Sequence, residues 1–151
     1  MGRNFHRKCR VPFDVILLAL AAVAAGIVAV TAALTAAEYG NLPDRVPLHF
    51  GIDGKPSWYG PRPTIWLIVA IQLVTCVSFA SAVFAVRDAG GAAPSQLGVG
   101  VFGICILAAL AHAQFAIVVA AKSPDQRLAV GRFLATTGTL VALAFLSMRF
   151  L

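Results

Sequence analysis

The run VILLALAAVAAGIVAVTAALTAA, residues 15–37, contains no charged residue and decides the fold class of this chain. A helix needs about 20 apolar residues to cross a hydrocarbon core of about 30 Å, and a helix pairs all of its own backbone groups in lipid. Three further runs, 64–86, 97–121 and 128–148, are long enough to do the same. The sequence therefore predicts an all-α integral membrane protein with four transmembrane helices in one domain, residues 1–151.

The composition supports the same class. Of the 151 residues, 60% are hydrophobic and only 12% are charged, so there are too few polar side chains to cover a soluble domain. The net charge is +6, but the basic residues are scattered between the apolar runs, apart from a cluster before the first run: Arg3, Arg7, Lys8 and Arg10. This pattern indicates membrane topology, with the lipid bilayer as partner and no nucleic acid.

The basic cluster also predicts the orientation. With the N-terminus inside, six basic residues fall on each side of the membrane, so the count alone does not determine the orientation. The four basic residues that directly precede the first helix determine it, because the first helix usually sets the orientation of the chain. Both termini are then cytoplasmic and residues 38–63 are outside. The alternative, a cleaved signal peptide ending at the small residues Thr35-Ala36-Ala37, is disfavoured because the apolar run exceeds the about 7–15 residues of a signal core.

Short connections at residues 87–96 and 122–127 predict an up-down-up-down bundle of antiparallel neighbours. Small residues recur at four-residue spacing in the first and fourth helices, and such rows let helix backbones approach closely in lipid. The rows are Ala25, Ala29, Ala33 and Ala37, then Gly131 and Ala135, and Gly138 and Ala142.

Few motifs point to chemistry. The segment Gly98–Gly103 matches the GxGxxG pattern, but it opens a membrane helix and has no acid at the expected distance, so it predicts a packing surface and not a dinucleotide site. The three cysteines lack CxxC spacing. We predict no catalytic residues, no metal ligands and no cofactor. His112 is an intramembrane polar candidate; its alternative role is an interior histidine bonded to a neighbouring helix.

The connection between the first two helices is about 26 residues long, well beyond the 2–8 that are typical of bundles. Pro43 and Pro47 stiffen it and favour extended backbone beside them. Asp53-Gly54 is a strong turn signal, and the following Trp58 and Tyr59 suit the lipid headgroup level. The segment therefore predicts an ordered cap on the outer face of the bundle.

His49 is the most interesting residue of this segment. Strand alternation places Val46, Leu48 and Phe50 on one face and His49 on the other, so we expect its side chain to point outward. Its imidazole then either bonds a backbone carbonyl and stiffens the turn, or binds a partner or, with Asp53, a metal ion.

The segment YGNLPDRVPLHFGIDGKPSWYG, residues 39–60, resembles the signature of the domain of unknown function numbered 1648, which occurs in small bacterial membrane proteins and in SdpI-type immunity proteins. The resemblance covers about the first 86 residues. It departs from the family at Ser57, where members usually carry an Asp, and at Arg62, where they carry a Lys. The binding residues it implies are Tyr39, Leu42, Pro43, Pro47, His49, Phe50, Asp53, Gly54, Pro56, Tyr59 and Arg62.

This resemblance implies a small bacterial inner-membrane protein with an outward recognition loop and an SdpI-like immunity or protection role. The partner would be a toxin peptide or another membrane protein. One alternative is an accessory subunit of a larger membrane complex, which the small-residue rows favour. A further alternative is a metal-dependent or transport activity that uses His49, Asp53 and His112.

Overall fold

A computed structural model describes residues 13–90 and 93–150. These residues form four long helices, α1 (Phe13–Tyr39), α2 (Trp66–Asp88), α3 (Ala93–Lys122) and α4 (Val130–Phe150). Each helix is long and apolar enough to cross a membrane, so the prediction of an all-α, four-span membrane protein is confirmed. Cys9 and the basic cluster at residues 3–10 lie outside the described residues.

Helix α3 is the centre of the bundle and packs against each of the other three helices. Glycines make this close approach possible. A Cβ atom at Gly103 would lie 2.7 Å from Phe79 of α2, and one at Gly100 would lie 3.0 Å from Leu20 of α1. The predicted packing role of the GxGxxG segment is therefore confirmed.

The small-residue rows of α1 and α4 do not pack against the other helices within residues 13–90 and 93–150. Their members are exposed, whereas the buried positions of α1 are Val28, Thr31 and Thr35 and those of α4 are Ala144 and Ser147. Four-residue spacing places the small residues in one row along a helix, but spacing alone does not determine which way the helix is rotated. Both rows face away from the other helices of this chain.

Two buried glutamine side chains connect the helices. Nε2 of Gln114 on α3 donates to Thr35 Oγ1 on α1 at 2.9 Å and to the carbonyl of Ile65, just before α2, at 3.1 Å. Nε2 of Gln72 on α2 donates to the carbonyl of Leu107 at 3.3 Å and to Thr31 Oγ1 at 3.5 Å. Such bonds hold helices together in lipid, where hydrophobic burial gives no net attraction between them.

The connection between α1 and α2 is a β-hairpin of β1 (Arg45–Phe50) and β2 (Pro56–Pro61), followed by a 3₁₀ turn, Arg62–Ile65. The strands are antiparallel, with irregular register on both sides of His49. The turn is closed by the Gly51 N–H, which donates to the Lys55 carbonyl, and by the Gly54 N–H, which donates to the Gly51 carbonyl. The predicted extended segment and Asp-Gly turn are thus present, as a two-stranded sheet on an otherwise helical protein.

Candidate functional site

The candidate site is the hairpin cap, which we define as residues 40–65. Its base is a small hydrophobic core in which Leu42, Val46 and Ile65 are buried against Val118 and Ala121 of α3. Pro47 is also fully buried. The resemblance marked Leu42 and Pro47 as binding residues; Leu42 packs in the core that joins the cap to α3, and Pro47 is buried and not presented to a partner.

The tip of the cap is fixed to the connection between α3 and α4. Gly54 has a φ of +75°, which favours glycine, and its carbonyl accepts a 2.9 Å hydrogen bond from the Leu128 N–H. A Cβ atom at Gly54 would lie 2.4 Å from the Leu128 carbonyl oxygen. In the same turn, the backbone N–H of Lys55 donates to Asp53 Oδ1 and lowers the pKa of that carboxyl.

Arg62 braces the two ends of the hairpin. Its guanidinium lies 2.5 Å from Asp44 Oδ1, its backbone N–H donates to the Asp44 carbonyl at 2.9 Å, and its Cζ lies 5.9 Å from the centre of the Tyr39 ring. Tyr39 in turn contacts Trp66, with 6.2 Å between ring centres. A planar guanidinium can make the ion pair and the ring contact together, so Arg62 and Tyr39 connect α1, the hairpin and α2.

His49 is exposed, as predicted from strand alternation. Its Nδ1 lies 2.5 Å from Ser57 Oγ on the opposite strand, and Ser57 Oγ also donates to the His49 carbonyl at 3.3 Å. The expected bond from the imidazole to a backbone carbonyl is therefore replaced by a bond to a serine hydroxyl. At position 57 this chain departs from the resembling family, whose members usually carry an Asp there. The contact between His49 and Ser57 is therefore a consequence of that departure.

The outward part of the cap carries large apolar side chains. Ile52 in the turn is 100% exposed and Trp58 is 60% exposed, and Tyr59 is partly exposed. Pro43, Phe50 and Pro56 are half-buried. We define Ile52, Trp58, Tyr59 and the His49–Ser57 pair as the presented surface, because the cap does not need these side chains to dock on the helices.

The groups proposed for metal binding have other arrangements. Within residues 13–90 and 93–150 no group of three or more His, Cys, Asp and Glu side chains is placed to hold a metal ion. His49 pairs with Ser57, and Asp53 pairs with Lys55. His112 stacks on Phe133 of α4 with ring centres 5.5 Å apart, but its Nε2 is buried and makes no hydrogen bond to a neighbouring helix within the part of the chain that the structure describes.

Residues 26–73 match the family described as a domain of unknown function (DUF1648). The match begins within α1, includes the whole hairpin cap and ends within α2. No curated protein and no solved structure matches the chain. The resemblance of the signature segment is thereby supported for the part of the chain that contains the candidate site.

The cap should depend on Pro47 more than on a neighbouring charge. Replacing Pro47 by Gly frees the unfolded chain and removes a buried ring, so we expect a loss of about 0.4–1 kcal/mol or more in cap stability. Arg45→Ala, at an exposed position on the same strand, should change it by less than about 0.5 kcal/mol. Limited proteolysis in detergent compares the two variants, and equal resistance to cleavage would contradict the prediction.

Proposed function

We propose that this protein is an immunity protein of the bacterial inner membrane, similar to SdpI-type proteins, and that the hairpin cap recognises a membrane-active toxin peptide. The observation that carries the proposal is the separation of roles within the cap. Its base is buried against α3, its tip is hydrogen-bonded to the connection between α3 and α4, and Arg62 joins its two ends, whereas Ile52 and Trp58 are exposed.

Such a surface suits recognition because its apolar groups are held in place before a partner arrives. Ordering flexible loops and side chains costs free energy on association, and a hairpin attached at both base and tip avoids much of that cost. Aromatic residues are also frequent energetic anchors in interfaces. Trp58 and Ile52 would contact the apolar side of the peptide at the headgroup level, and the His49–Ser57 pair would supply polar contacts.

A deletion strain tests this proposal. Culture supernatant of the parent bacterium should inhibit cells that lack the gene, and a plasmid copy of the gene should restore growth. A copy with Ile52→Ser and Trp58→Ala should be inserted in the membrane at the parent level but fail to protect, whereas Arg45→Ala should protect fully. Full protection by the double variant would exclude the presented surface as the recognition site.

His49 can be tested in the same assay. The His49→Gln variant keeps a hydrogen-bonding side chain of similar size but loses imidazole protonation and ligation. We expect it to fold normally, because His49 is exposed, and to lose protection. Ser57→Ala is the matched control for the pair, since it removes the same 2.5 Å contact and leaves the imidazole in place. Protection equal to the parent in His49→Gln would make His49 a purely structural residue.

The proposal also requires the cap to lie outside the cell. In a background with the native cysteines replaced by serine, Asp53→Cys should react with an impermeant maleimide in intact cells. Asp88→Cys, at the opposite end of α2, should react only after the cells are permeabilised. The reverse pattern would place both termini outside and would contradict the orientation inferred from the basic cluster.

A role as an accessory subunit is the second candidate, and the exposure of both small-residue rows favours it. Rows that face away from their own bundle are available to helices of another protein. In this case Ala29→Leu and Gly138→Leu should abolish co-purification of a partner complex after mild detergent extraction. Leu18→Ala, an exposed position outside the rows, should leave it intact. Retained co-purification in both row variants would exclude this role for the rows.

A further inference from the structure

Contacts between the helices show where the hydrocarbon region ends on the side of the cap. The carbonyl of Ile65, directly before α2, accepts a 3.1 Å hydrogen bond from Gln114 of α3. Helix α4 begins close to the same level, because Phe133 in its first turn stacks on His112. Helices α2 and α4 have 23 and 21 residues, or about 35 and 32 Å, which matches a hydrocarbon core of about 30 Å. The hydrocarbon region therefore ends near the level of Gln114.

Helix α3 continues beyond this level. Its last residue, Lys122, follows Gln114 by eight residues and lies about 12 Å higher. The base of the hairpin cap packs against Val118 and Ala121 in this part of α3. The base of the cap and the end of α3 thus stand above the hydrocarbon region.

The tip of the hairpin returns to the hydrocarbon boundary on the side of α4. The Gly54 carbonyl accepts a 2.9 Å hydrogen bond from the Leu128 N–H, and a Cβ atom at Gly54 would lie 3.2 Å from the side chain of Val130, the first residue of α4. Ile52 is a central residue of the turn 51–54 and is 100% exposed. A large apolar side chain therefore stands at the height at which α4 enters the hydrocarbon, uncovered by the rest of the described chain.

Basic side chains surround this tip. Lys55 follows the turn, Arg127 precedes Leu128, and Arg132 lies in the first turn of α4; all three are exposed. The pKa of Asp53 is lowered by the hydrogen bond from the Lys55 N–H, and further by the charges of Lys55 and Arg127, so these groups lie near one another. Basic residues outnumber acidic ones here even when Asp125 of the same connection is counted. The surroundings of the tip are therefore net positive.

We propose that the tip of the hairpin cap inserts Ile52 into the leaflet on the side of the cap, and that the basic residues around it bind the phosphates of anionic phospholipids. An apolar side chain flanked by basic groups suits the boundary between headgroups and acyl chains, where the apolar part leaves water and the charges meet anionic lipid. In water, the same exposed isoleucine would gain nothing. The occupant of this surface is thus the bilayer itself.

This proposal does not depend on the immunity role, because it concerns the protein before any peptide is present. It changes the way in which a peptide would meet the presented surface. Ile52 would be reached from within the leaflet, whereas Trp58, on the second strand of the hairpin, is not part of the tip. The test therefore uses the protein and lipids alone.

The depth of Ile52 is measured with a fluorescent label on a single cysteine. Ile52→Cys, in a background with the native cysteines replaced by serine, is labelled and reconstituted in vesicles of phosphatidylcholine and phosphatidylglycerol. Nitroxides on the lipid acyl chains should quench this label strongly. The matched control is Asp125→Cys, an exposed position three residues after the end of α3, whose label should be quenched much less. Equal quenching at the two positions would overturn the insertion, and weak quenching at both would leave Ile52 in water, free for a peptide.

The same label tests the contacts with phosphate. The nitroxide is placed either on phosphatidylglycerol or on phosphatidylcholine, in vesicles of otherwise identical composition. Each basic residue near an anionic membrane contributes about a 5-fold preference, so phosphatidylglycerol should quench the label at position 52 more efficiently. The double variant Arg127→Gln and Arg132→Gln should lose most of this preference, whereas Arg45→Gln, at the opposite end of the hairpin, should keep it. Equal quenching by both lipids in the parent, or an unchanged preference in the double variant, would overturn the proposed phosphate contacts.

Discussion

Gly54→Ala should lower the free energy of unfolding by about 2–4 kcal/mol. A residue with a Cβ atom is strained at a φ of +75°, and this contributes about 1–2 kcal/mol. The new Cβ atom would also lie 2.4 Å from the Leu128 carbonyl oxygen, which is backbone and has no rotamer by which to move away. This clash is relieved only if the tip of the hairpin cap separates from the connection between α3 and α4. The hydrogen bond from the Leu128 N–H to the Gly54 carbonyl, worth about 1 kcal/mol, is then lost.

Gly90→Ala is the matched control for this prediction. Gly90 has nearly the same φ, +73°, but a Cβ atom there would have no neighbour within 4 Å among the described residues. It should therefore show only the backbone strain of about 1–2 kcal/mol. Reversible unfolding in mixed detergent micelles gives both values, and the difference between them measures the docking of the cap. Equal losses in the two variants would mean that the tip is not held by Leu128.

The membrane helices and the turn were predictable because their signals are local. A run of apolar residues determines a spanning helix without reference to any other segment, and Asp53-Gly54 specifies a tight turn by its own backbone preferences. The contact between Gly54 and Leu128 was not predictable, because it joins segments more than 70 residues apart and depends on how α3 and α4 place their connection. Local sequence gives the conformation of a turn but not its neighbour.

The same distinction between local signals and contacts between distant segments explains which features of the site residues were predictable. Alternation predicted that His49 points outward, whereas its pairing with Ser57 depends on an irregular strand register that alternation does not specify. Gln72 and Gln114 were not predicted to bridge helices, although a polar amide within each of two apolar runs indicates such a role. Their partners Thr31 and Thr35 follow only from the rotation of α1 against α2 and α3.

The family match and the geometry together suggest why the signature contains so many prolines, glycines and aromatic residues. Pro47 and Leu42 are buried at the base, Gly54 permits the tip contact, and Tyr39 supports Arg62. These residues keep a small hairpin in one position on a helical bundle. Stability therefore accounts for much of the signature, and a search for function is better directed at the exposed His49 and Trp58.

Gly103→Ala should destabilise the helical bundle by about 1–3 kcal/mol through overpacking where α2 crosses α3. The added Cβ atom would lie 2.7 Å from Cγ and 2.9 Å from Cβ of Phe79. These atoms are at the root of the side chain, so the clash is relieved only if α2 moves or if Phe79 loses its 5.5 Å ring contact with Phe102.

Gly138→Ala is the control for Gly103→Ala, because it makes the same chemical change within a spanning helix where none of the described residues lies within 4 Å of the added Cβ atom. Its stability should be unchanged or higher by up to about 1 kcal/mol, since alanine favours the helix. Unfolding of both variants in mixed micelles gives the comparison. If Gly103→Ala were as stable as Gly138→Ala, α2 and α3 would not be in close contact at Gly103, and the central position of α3 would be wrong. If only Gly103→Ala is destabilised, the glycines of the GxGxxG segment act as the packing surface on which the bundle is built.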